Sequence, residues 1–424
     1  MKYILSLFLF AVSLGLTAQD SVTVVHYNLL NYGNYTGYCN TSNNNHLDKE
    51  EYLNTIIGYL RPDILSVNEL TDVAYYHDRF LNEVMNHNGR NYYKRTPATN
   101  IAGSDIINML FYDSTKLVLK STQVLQSYVR DINLYRLYFK TSKLPSGDTI
   151  FLNCISAHLK AGSEENNAVA RAVMASNTIG WLNQNAERGN YLMLGDFNLY
   201  TAAEEAYQTL TSVEAGSFQF FDPVNAPGDW NNNFNFAKYH TQSVSSAGTG
   251  CQAGGGMDDR FDFILATDEI IEGSAKVRYK AGSYAPVGQD GRHFNQSITT
   301  LPNNTVPQDV LTALGKNSDH LPVKMVLEVE AELPEAIRES IVLKDITLAR
   351  INESEAVINL TALKPSKANI AVYSMTGQLV SLQTSGLKYG FNSISIPLDT
   401  LKHGLYMITV SDQEGYRSTV KLVR

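Results

Sequence analysis

The sequence predicts an α/β protein in which two mixed β-sheets pack face to face with helices outside, followed by a C-terminal all-β sandwich. Between residues 20 and 330, strand-like apolar runs outnumber amphipathic helical runs. These strands occur both as hairpin-like pairs and on either side of helical crossovers, a combination typical of mixed sheets. After residue 340 only short strand-like runs remain, separated by turn residues, as in β-sandwiches.

The N-terminal residues have the pattern of a secretory signal peptide. Residues 1–18 contain one early lysine, the apolar run Ile4–Leu16 and the small residue Ala18 at the expected cleavage site. This run is too short for a membrane-spanning helix, and no later apolar stretch is long enough either. We therefore expect an exported, soluble protein without stable membrane insertion.

Strands and helices alternate in the first half of the chain. A strand is predicted at Ser21–Asn28, and a helix begins after Asp48 and is stopped by Pro62. A second strand at Asp63–Glu69 precedes another amphipathic helix over residues 73–84. Further strands are predicted at Ile106–Tyr112, Leu117–Leu125, Leu134–Lys140 and Thr149–His158.

The second half of the body contains a long helix, a buried strand and a large insert. Apolar residues at helical spacing predict the helix over residues 168–182, and four consecutive apolar residues predict a buried strand from Tyr191. Residues 218–256 form a loop-rich insert with many Asn, Gly and aromatic residues. Two more strands are predicted at Arg260–Leu265 and Leu321–Val329, with Arg260 expected to pair with an acid near Asp262.

The C-terminal region differs in texture from the body. A charged, proline-containing linker is predicted at residues 332–340. Residues 341–424 contain neither paired carboxylates nor cysteine, so we expect no chemistry there. Strands are predicted at Val357–Leu360, Ile370–Ser374, Ser393–Ile396, Leu405–Val410 and Thr419–Val423.

Charge and cysteine content limit the possible functions. Residues 341–424 contain nine basic and six acidic residues and therefore carry a net charge of +3. Because the whole chain carries −8, the remaining residues carry −11. Such an acidic body cannot hold a polyanion by a general basic field, so any nucleic-acid substrate must be held by a metal and local contacts.

Cys154 is expected to be a buried thiol, while Cys39 and Cys251 lie in loops and could form a disulfide outside the cell.

Six polar clusters each lie at the end of an apolar strand. They contain Asn28, Glu69, His158, the pair Asp196 and Asn198, Asp262, and the pair Asp319 and His320. Ligands bind at strand ends in open α/β sheets, so these side chains are expected to meet. Together they supply what hydrolysis of a phosphoester requires.

Each cluster contributes a residue type with a defined chemical use. Glu69 and Asp319 are hard oxygen ligands for Mg²⁺ or Mn²⁺. Asn28, Asn198 and His158 can donate hydrogen bonds to phosphoryl oxygens. Asp262 can orient the imidazole of His320, and either Asp196 or His320 can activate the attacking water.

These motifs, in this order, resemble the endonuclease/exonuclease/phosphatase superfamily over about residues 21–330. The resemblance implies a four-layered α/β sandwich and a metal-dependent phosphoesterase. It implies that Asn28 contacts the phosphate or the metal shell, that Glu69 is the principal metal ligand, and that Asp319 lies near the metal. It further implies that His158 is the catalytic histidine on the phosphate side, that Asp262 orients a histidine, and that His320 is the terminal acid or base. Asp196 is implied to activate water or to belong to the metal shell, and Asn198 to contact the phosphate or the metal shell.

Two positions bear on which branch of the superfamily the chain resembles. Asn68 stands where the family usually has a glutamine, and its side chain is one methylene shorter, so the contact made there is in doubt. His158 stands where abasic-site endonucleases have a tyrosine, which argues against that repair branch.

The C-terminal region resembles the sorting domain of type IX secretion in Bacteroidota. The resemblance rests on residues 371–380, residues 401–406 and the basic ending Lys421–Arg424. It implies passage across the outer membrane, followed by release or surface attachment.

The sequence therefore predicts a secreted phosphodiesterase that uses Mg²⁺ or Mn²⁺, acts as a nuclease on DNA or RNA, and is a monomer. Residues 19–331 are predicted to form the catalytic domain. A sphingomyelinase-type phosphodiesterase and an inactive surface-binding module remain open alternatives. The sequence leaves undecided the substrate, endo or exo action, the number of metals, and the cleavage site of the C-terminal domain.

Overall fold

The computed structural model describes residues 20–142, 144–212, 217–331, 333, 343–350, 354–362, 365–399, 401–412 and 417–424. The predicted signal peptide, residues 1–18, and all of the predicted linker 332–340 except Leu333 lie outside the described residues.

The body contains helices and strands in alternation. Its helices are α1 (His46–Leu60), α2 (Ala74–Arg79), α3 (Glu165–Asn185), α4 (Glu205–Thr211), α5 (Asp268–Glu272) and α6 (Gln308–Asn317). Its strands are β1 (Asp20–Tyr32), β2 (Ile64–Thr71), β3 (Tyr93–Arg95), β4 (Ile106–Asp113), β5 (Leu117–Gln126), β6 (Ile132–Phe139), β7 (Phe151–His158), β8 (Tyr191–Asp196), β9 (Asp262–Ala266), β10 (Val277–Tyr279), β11 (Ala285–Pro286) and β12 (Val323–Val329). A π-helical turn, Phe80–Met85, extends α2, and short 3₁₀ helices occur at Leu144–Ser146 and Phe234–Tyr239.

The strands of the body form two mixed sheets. The seven-stranded sheet has the order β10-β12-β1-β2-β4-β3, with β11 beside β12, and the five-stranded sheet has the order β5-β6-β7-β8-β9. β1 and β2 are parallel, as are β7 and β8. Their carboxyl ends reach the same edge of the sandwich, where β9 and β12 begin because these two strands run antiparallel to β8 and β1.

Three apolar clusters show four layers. The cluster between the sheets joins side chains of the seven-stranded sheet, such as Val24 and Leu110, to side chains of the five-stranded sheet, such as Leu192. A second cluster joins the outer face of the seven-stranded sheet to α1, α6 and the π-helical turn. A third joins the outer face of the five-stranded sheet to α3 and α4. The predicted four-layered α/β sandwich is confirmed.

Local chemistry explains the limits of α1. The side chain of Asn45 accepts a hydrogen bond from the amide of Leu47 at 2.9 Å, and this cap lies three residues before Asp48, after which the helix was predicted to begin. At the other end Arg61 adopts a left-handed conformation with φ of 42°, and Pro62 cannot continue the helix.

The C-terminal region is an all-β sandwich, as predicted. One sheet contains β13 (Leu343–Arg350), β14 (Glu355–Ala362) and β17 (Gly390–Pro397). The other contains β15 (Ser366–Ser374), β16 (Leu379–Leu387), β18 (Leu405–Asp412) and β19 (Arg417–Val423). Side chains of both sheets, including Ile358 and Ile370, share one apolar cluster. The sequence analysis missed β13 and β16; β16 is largely exposed, so it lacks the apolar run on which a strand prediction depends.

Two predictions about cysteine are confirmed, and the structural ion pair predicted for Arg260 forms at a different place. Cys39 and Cys251 form a disulfide, and Cys154 is a buried thiol. Arg260 pairs with Asp222 at 2.9 Å, not with an acid beside Asp262, and its guanidinium stacks on the buried ring of Phe263. No helix among the described residues is both long and apolar enough to traverse a bilayer.

Candidate active site

The strand ends of both sheets bring the predicted polar residues into one cluster. Each member lies within 4 Å of at least one other, either directly or through a backbone amide; the members are Asn28, Glu69, His158, Asp196, Asn198, Asp262, Asp319 and His320. Most of them are buried. Residues that are far apart in sequence therefore line one site at the edge of the sandwich.

Asn28 connects the carboxylates of the two sheets. Its amide nitrogen lies 3.0 Å from Glu69 Oε1 and 3.0 Å from Asp196 Oδ2. Its amide oxygen accepts a hydrogen bond from the backbone of Leu30 at 2.9 Å. In this geometry Asn28 braces the two acids, whereas the sequence analysis expected it to bind metal or phosphate.

Glu69 and Asn198 lie in strained backbone conformations. Glu69 has φ of 58° within β2, where the strand pairing is irregular between Val67 and Leu70. Asn198 has φ of 51° just after β8. A non-glycine residue in this left-handed region costs about 1–3 kcal/mol and persists where the surroundings require it. At Glu69, the backbone amide of Asn31 holds the second carboxylate oxygen at 3.0 Å.

Glu69, His158 and Asp196 form the group best arranged to hold a metal ion. One ligand atom from each lies within 4.8 Å of the others, which allows a single divalent cation to touch all three. The Nε2 atom of His158 is 3.5 Å from Asp196 and 3.9 Å from Glu69. Two carboxylates are donors that Mg²⁺ and Mn²⁺ accept. Burial lowers the pKa of His158 well below its usual value, so the ring is neutral and available as a ligand or donor.

Asp319, expected from the sequence to lie near the metal, approaches the same ring nitrogen of His320 as Asp196 does. Its Oδ2 atom accepts a hydrogen bond from the backbone of Ala253 at 3.0 Å. Its Oδ1 atom is buried, has no hydrogen-bond partner among the described residues, and lies 3.9 Å from His320 Nε2. A buried carboxylate oxygen without a partner is costly, so this atom is suited to a cation.

Asp262 and His320 form a buried acid–imidazole pair. Asp262 Oδ2 lies 2.7 Å from His320 Nδ1. Burial disfavours the charged ring, but the carboxylates of Asp262 and Asp196 outweigh it and raise the pKa of His320 well above its usual value. Burial likewise opposes ionisation of Asp262, yet the neighbouring imidazoles lower its pKa to about 2. Asp262 is thus a fixed anion that holds a charged ring.

Asp196 differs from Asp262 in its protonation. Burial raises the pKa of Asp196 to about 7, while the charge of His320 opposes this shift. Its Oδ2 atom is 3.8 Å from His320 Nε2. Asp196 and Asp262, on either side of the His320 ring, therefore have very different pKa values. Such a difference separates the roles of acid and base.

The contact of Asn68, in doubt from the sequence, connects the two sheets beneath the site. Its amide oxygen accepts a hydrogen bond from the backbone of Asp196 at 2.9 Å, and its amide nitrogen donates to Asn108 at 2.7 Å. The shorter side chain therefore reaches from β2 to β8.

The structure adds three residues that the sequence analysis did not select for this site. Arg130 is partly buried, donates to the carbonyl of Leu159 at 3.1 Å, and lies close enough to His158 to help lower its pKa. Lys49 on α1 is buried and donates to the carbonyl of Asn317. Burial lowers the pKa of Lys49 to about 7.

Gln242, the third of these residues, comes from the loop-rich insert. Its amide nitrogen is placed 2.8 Å from His320 Nε2, and an amide can turn either its NH₂ group or its oxygen to the ring. None of the three lies in a recognisable motif. The sequence gives no signal for them, because a lone Arg, Lys or Gln in a loop or helix is common on protein surfaces.

Comparisons with known proteins give a family for one segment and similar folds for the rest. Residues 352–424 match the family described as a secretion system C-terminal sorting domain. A comparison with curated protein sequences finds no match.

Several solved structures are similar in fold. One is D. rerio TDP2 complexed with a single-strand DNA product, at 14% identity and a TM-score of 0.46, covering 73% of this chain and 99% of that chain. An endonuclease/exonuclease/phosphatase family protein from Bacteroides thetaiotaomicron has 14% identity and a TM-score of 0.43, with 74% and 96% covered. A mannosyl-6-phosphatase of the same organism has 14% identity and a TM-score of 0.43, with 72% and 99% covered.

Proposed function

We propose that this chain is a secreted, divalent-metal-dependent phosphodiesterase that acts as a nuclease on DNA or RNA. The observation that carries the proposal is the convergence of Glu69, His158 and Asp196 beside the Asp262–His320 pair. A cation site, a charged imidazole and an acid with a near-neutral pKa within a few ångströms are the groups that phosphoester hydrolysis uses.

The residues of the site divide the work as follows. A cation held by Glu69, His158 and Asp196 would neutralise charge on the phosphoryl group. His320, charged and held by Asp262, donates a hydrogen bond to a phosphoryl oxygen or a proton to the leaving oxygen. Where Asp196 does not hold the cation, its ionised carboxylate can accept the proton of the attacking water.

Other groups hold the phosphodiester in place. Asn198 can donate from its amide, which adds no charge to an already acidic site. The guanidinium of Arg130 offers a planar fork of donors that matches phosphate oxygens. Two residues before it, Tyr128 is 60% exposed and offers a ring on which a base can stack. An exposed ring this close in sequence to Arg130 supports a nucleic-acid strand as the substrate.

The C-terminal sandwich belongs to the proposal as the export signal. Its match to sorting domains supports passage through the type IX secretion machinery, with release or surface attachment. Secretion and the disulfide agree, since disulfides persist in oxidising compartments.

One panel of assays tests the proposal on the full chain. Plasmid DNA, single-stranded DNA, RNA, sphingomyelin vesicles and a sugar phosphate are each incubated with the protein, with chelator or with added Mg²⁺ or Mn²⁺. We expect metal-dependent cleavage of nucleic acid and its loss in Glu69→Gln. Cleavage of sphingomyelin or of the sugar phosphate alone would replace the nuclease assignment, and no cleavage in any arm would leave the binding-module alternative.

A further inference from the structure

The buried imidazole of His26 lies directly behind the acid–imidazole pair. His26 is on β1, two residues before Asn28, and its ring faces the five-stranded sheet. Val22 and Val24, the preceding residues on the same face of β1, belong to the apolar cluster between the sheets. His26 is therefore the point at which this buried row changes from apolar to polar.

The ring of His26 approaches the carboxylate of Asp262. Its Nε2 atom lies 3.3 Å from Asp262 Oδ1, and both residues are fully buried. Both ring nitrogens of His26 and Oδ1 of Asp262 are buried without a well-formed hydrogen bond among the described residues, so the approach of Nε2 to Oδ1 is the contact that can satisfy two of these atoms. The other oxygen of Asp262, Oδ2, is bonded to His320. One carboxylate thus lies between two imidazoles.

We propose that His26 is a positioning residue that holds the free oxygen of Asp262 and thereby fixes the orientation of His320. A carboxylate bonded through one oxygen alone can rotate, since the terminal torsion of aspartate is broad. A second donor on the other oxygen fixes the plane of the carboxylate. Because Asp262 holds the ring of His320 by its Nδ1 atom, fixing that plane aims Nε2 of His320 at the reacting groups.

This inference rests on the proposed phosphodiesterase for its kinetic test. We would compare His26→Leu, which removes the donor, with His26→Gln, whose terminal amide can donate from a similar position. The full chain is assayed with bis(p-nitrophenyl) phosphate and Mn²⁺. His26→Leu should lower kcat by about 10–100-fold, the range for partners of site residues, whereas KM and Mn²⁺ affinity stay unchanged and His26→Gln keeps most of the rate.

A buried histidine outside the site provides the matched control. His293 is 5% exposed and is paired with Asp290 at 2.8 Å. His293→Leu therefore removes an imidazole from an acid in the same way and should leave kcat unchanged. A folded His26→Leu protein with wild-type kcat would overturn the proposal, as would equal losses in kcat for the two leucine variants.

A measurement without turnover covers the case in which His26→Leu does not fold or the enzyme has no diesterase activity. Nitrogen NMR of the wild-type protein should find the His26 proton on Nε2, and Asp262→Asn should shift that signal. An unprotonated Nε2 in the wild type would overturn the positioning role. Absence of diesterase activity with the proton in place would count against the proposed function alone.

Discussion

Asp262 Oδ2 lies 2.7 Å from His320 Nδ1, and this contact joins the two sheets of the sandwich at the site. Asp262 begins β9 in the five-stranded sheet, and His320 precedes β12 in the seven-stranded sheet. The position of the imidazole therefore depends on how the sheets pack against each other. A small displacement of either sheet would separate the pair.

Asp262→Asn should lower the pKa of His320. The carboxylate of Asp262 is the strongest influence raising that pKa against burial, so replacing it with a neutral amide removes the stabilisation of the charged ring. Activity should fall by a factor on the order of 10²–10⁴, the range for acid–base groups. Proton NMR of the ring gives the pKa. Asp290→Asn, in the His293 pair, is the control, and an unchanged His320 pKa would contradict the assignment.

Without metal, the free energy of unfolding should decrease as the pH rises through neutrality. Burial raises the pKa of Asp196 from 3.8 to about 7, so the folded state binds more protons than the unfolded chain between these values. The contribution of Asp196 to stability is complete below the lower value and is lost as the pH rises through the upper one. Urea unfolding in chelator from acidic to alkaline pH measures this slope.

Asp196→Asn should flatten that slope, since an amide does not titrate. Affinity for Mn²⁺ should rise with pH in the wild type, because the cation requires the ionised carboxylate. Identical slopes for the wild type and Asp196→Asn would show that Asp196 does not hold the proton.

Glu69→Gln should weaken Mn²⁺ binding by more than about 100-fold, because losing a partner of a metal ligand alone costs 10–100-fold. The protein should remain folded, since glutamine has the same size and its one amide oxygen can still accept a hydrogen bond from Asn28 or from Asn31. Titration calorimetry measures the affinity. Glu51→Gln, an exposed change on α1, is the control. Retained affinity in Glu69→Gln would remove Glu69 from the ligand set.

Arg130→Met should reduce kcat/KM on nucleic acid by about 10–100-fold, which corresponds to the 1.5–3 kcal/mol of a hydrogen bond to a charged group. Metal affinity should not fall, because removing a cation from the site does not repel Mn²⁺. Steady-state kinetics with single-stranded DNA measures the effect. Arg136→Met, an exposed arginine on β6, serves as the control, and equal kinetics in both variants would dismiss the phosphate contact.

Breaking the disulfide should weaken metal binding as well as stability. Cys39 lies in the loop after β1, and its sulfur accepts a hydrogen bond at 3.6 Å from the side chain of Asn31, whose backbone amide holds Glu69. Cys251 lies two residues before Ala253, whose amide holds Asp319. The disulfide closes a separation of 212 residues, and loss of a native disulfide typically costs about 2–5 kcal/mol.

Thermal unfolding and Mn²⁺ titration of a double Cys39→Ser, Cys251→Ser variant measure the two effects. Cys154→Ala, at the buried thiol, is the control, because it should lower stability through a cavity without changing Mn²⁺ affinity. If the double variant keeps wild-type Mn²⁺ affinity, the two loops hold the acids without the covalent link.

Several parts of the fold and site could be predicted from the sequence because their signals are local. The buried strand from Tyr191 ends in Asp196 and Asn198, and strand ends in such sheets gather at one edge. Period-two alternation and helical spacing likewise identified most of the body strands and the long helix α3. The missed helix α6 is short, includes Gly315 and follows Pro307, so its apolar face is brief.

What the sequence by itself determined is which polar residues end the strands and therefore the kind of chemistry available. Only the tertiary structure decided which of these polar residues contact one another. Asn28 bridges Glu69 and Asp196, and ligand atoms of Glu69, His158 and Asp196 lie within 4.8 Å of one another. The physical reason is that the burial of a side chain and its contacts depend on how two sheets from distant segments pack. The sequence around a lone histidine such as His26 does not indicate whether its ring will face a carboxylate or solvent.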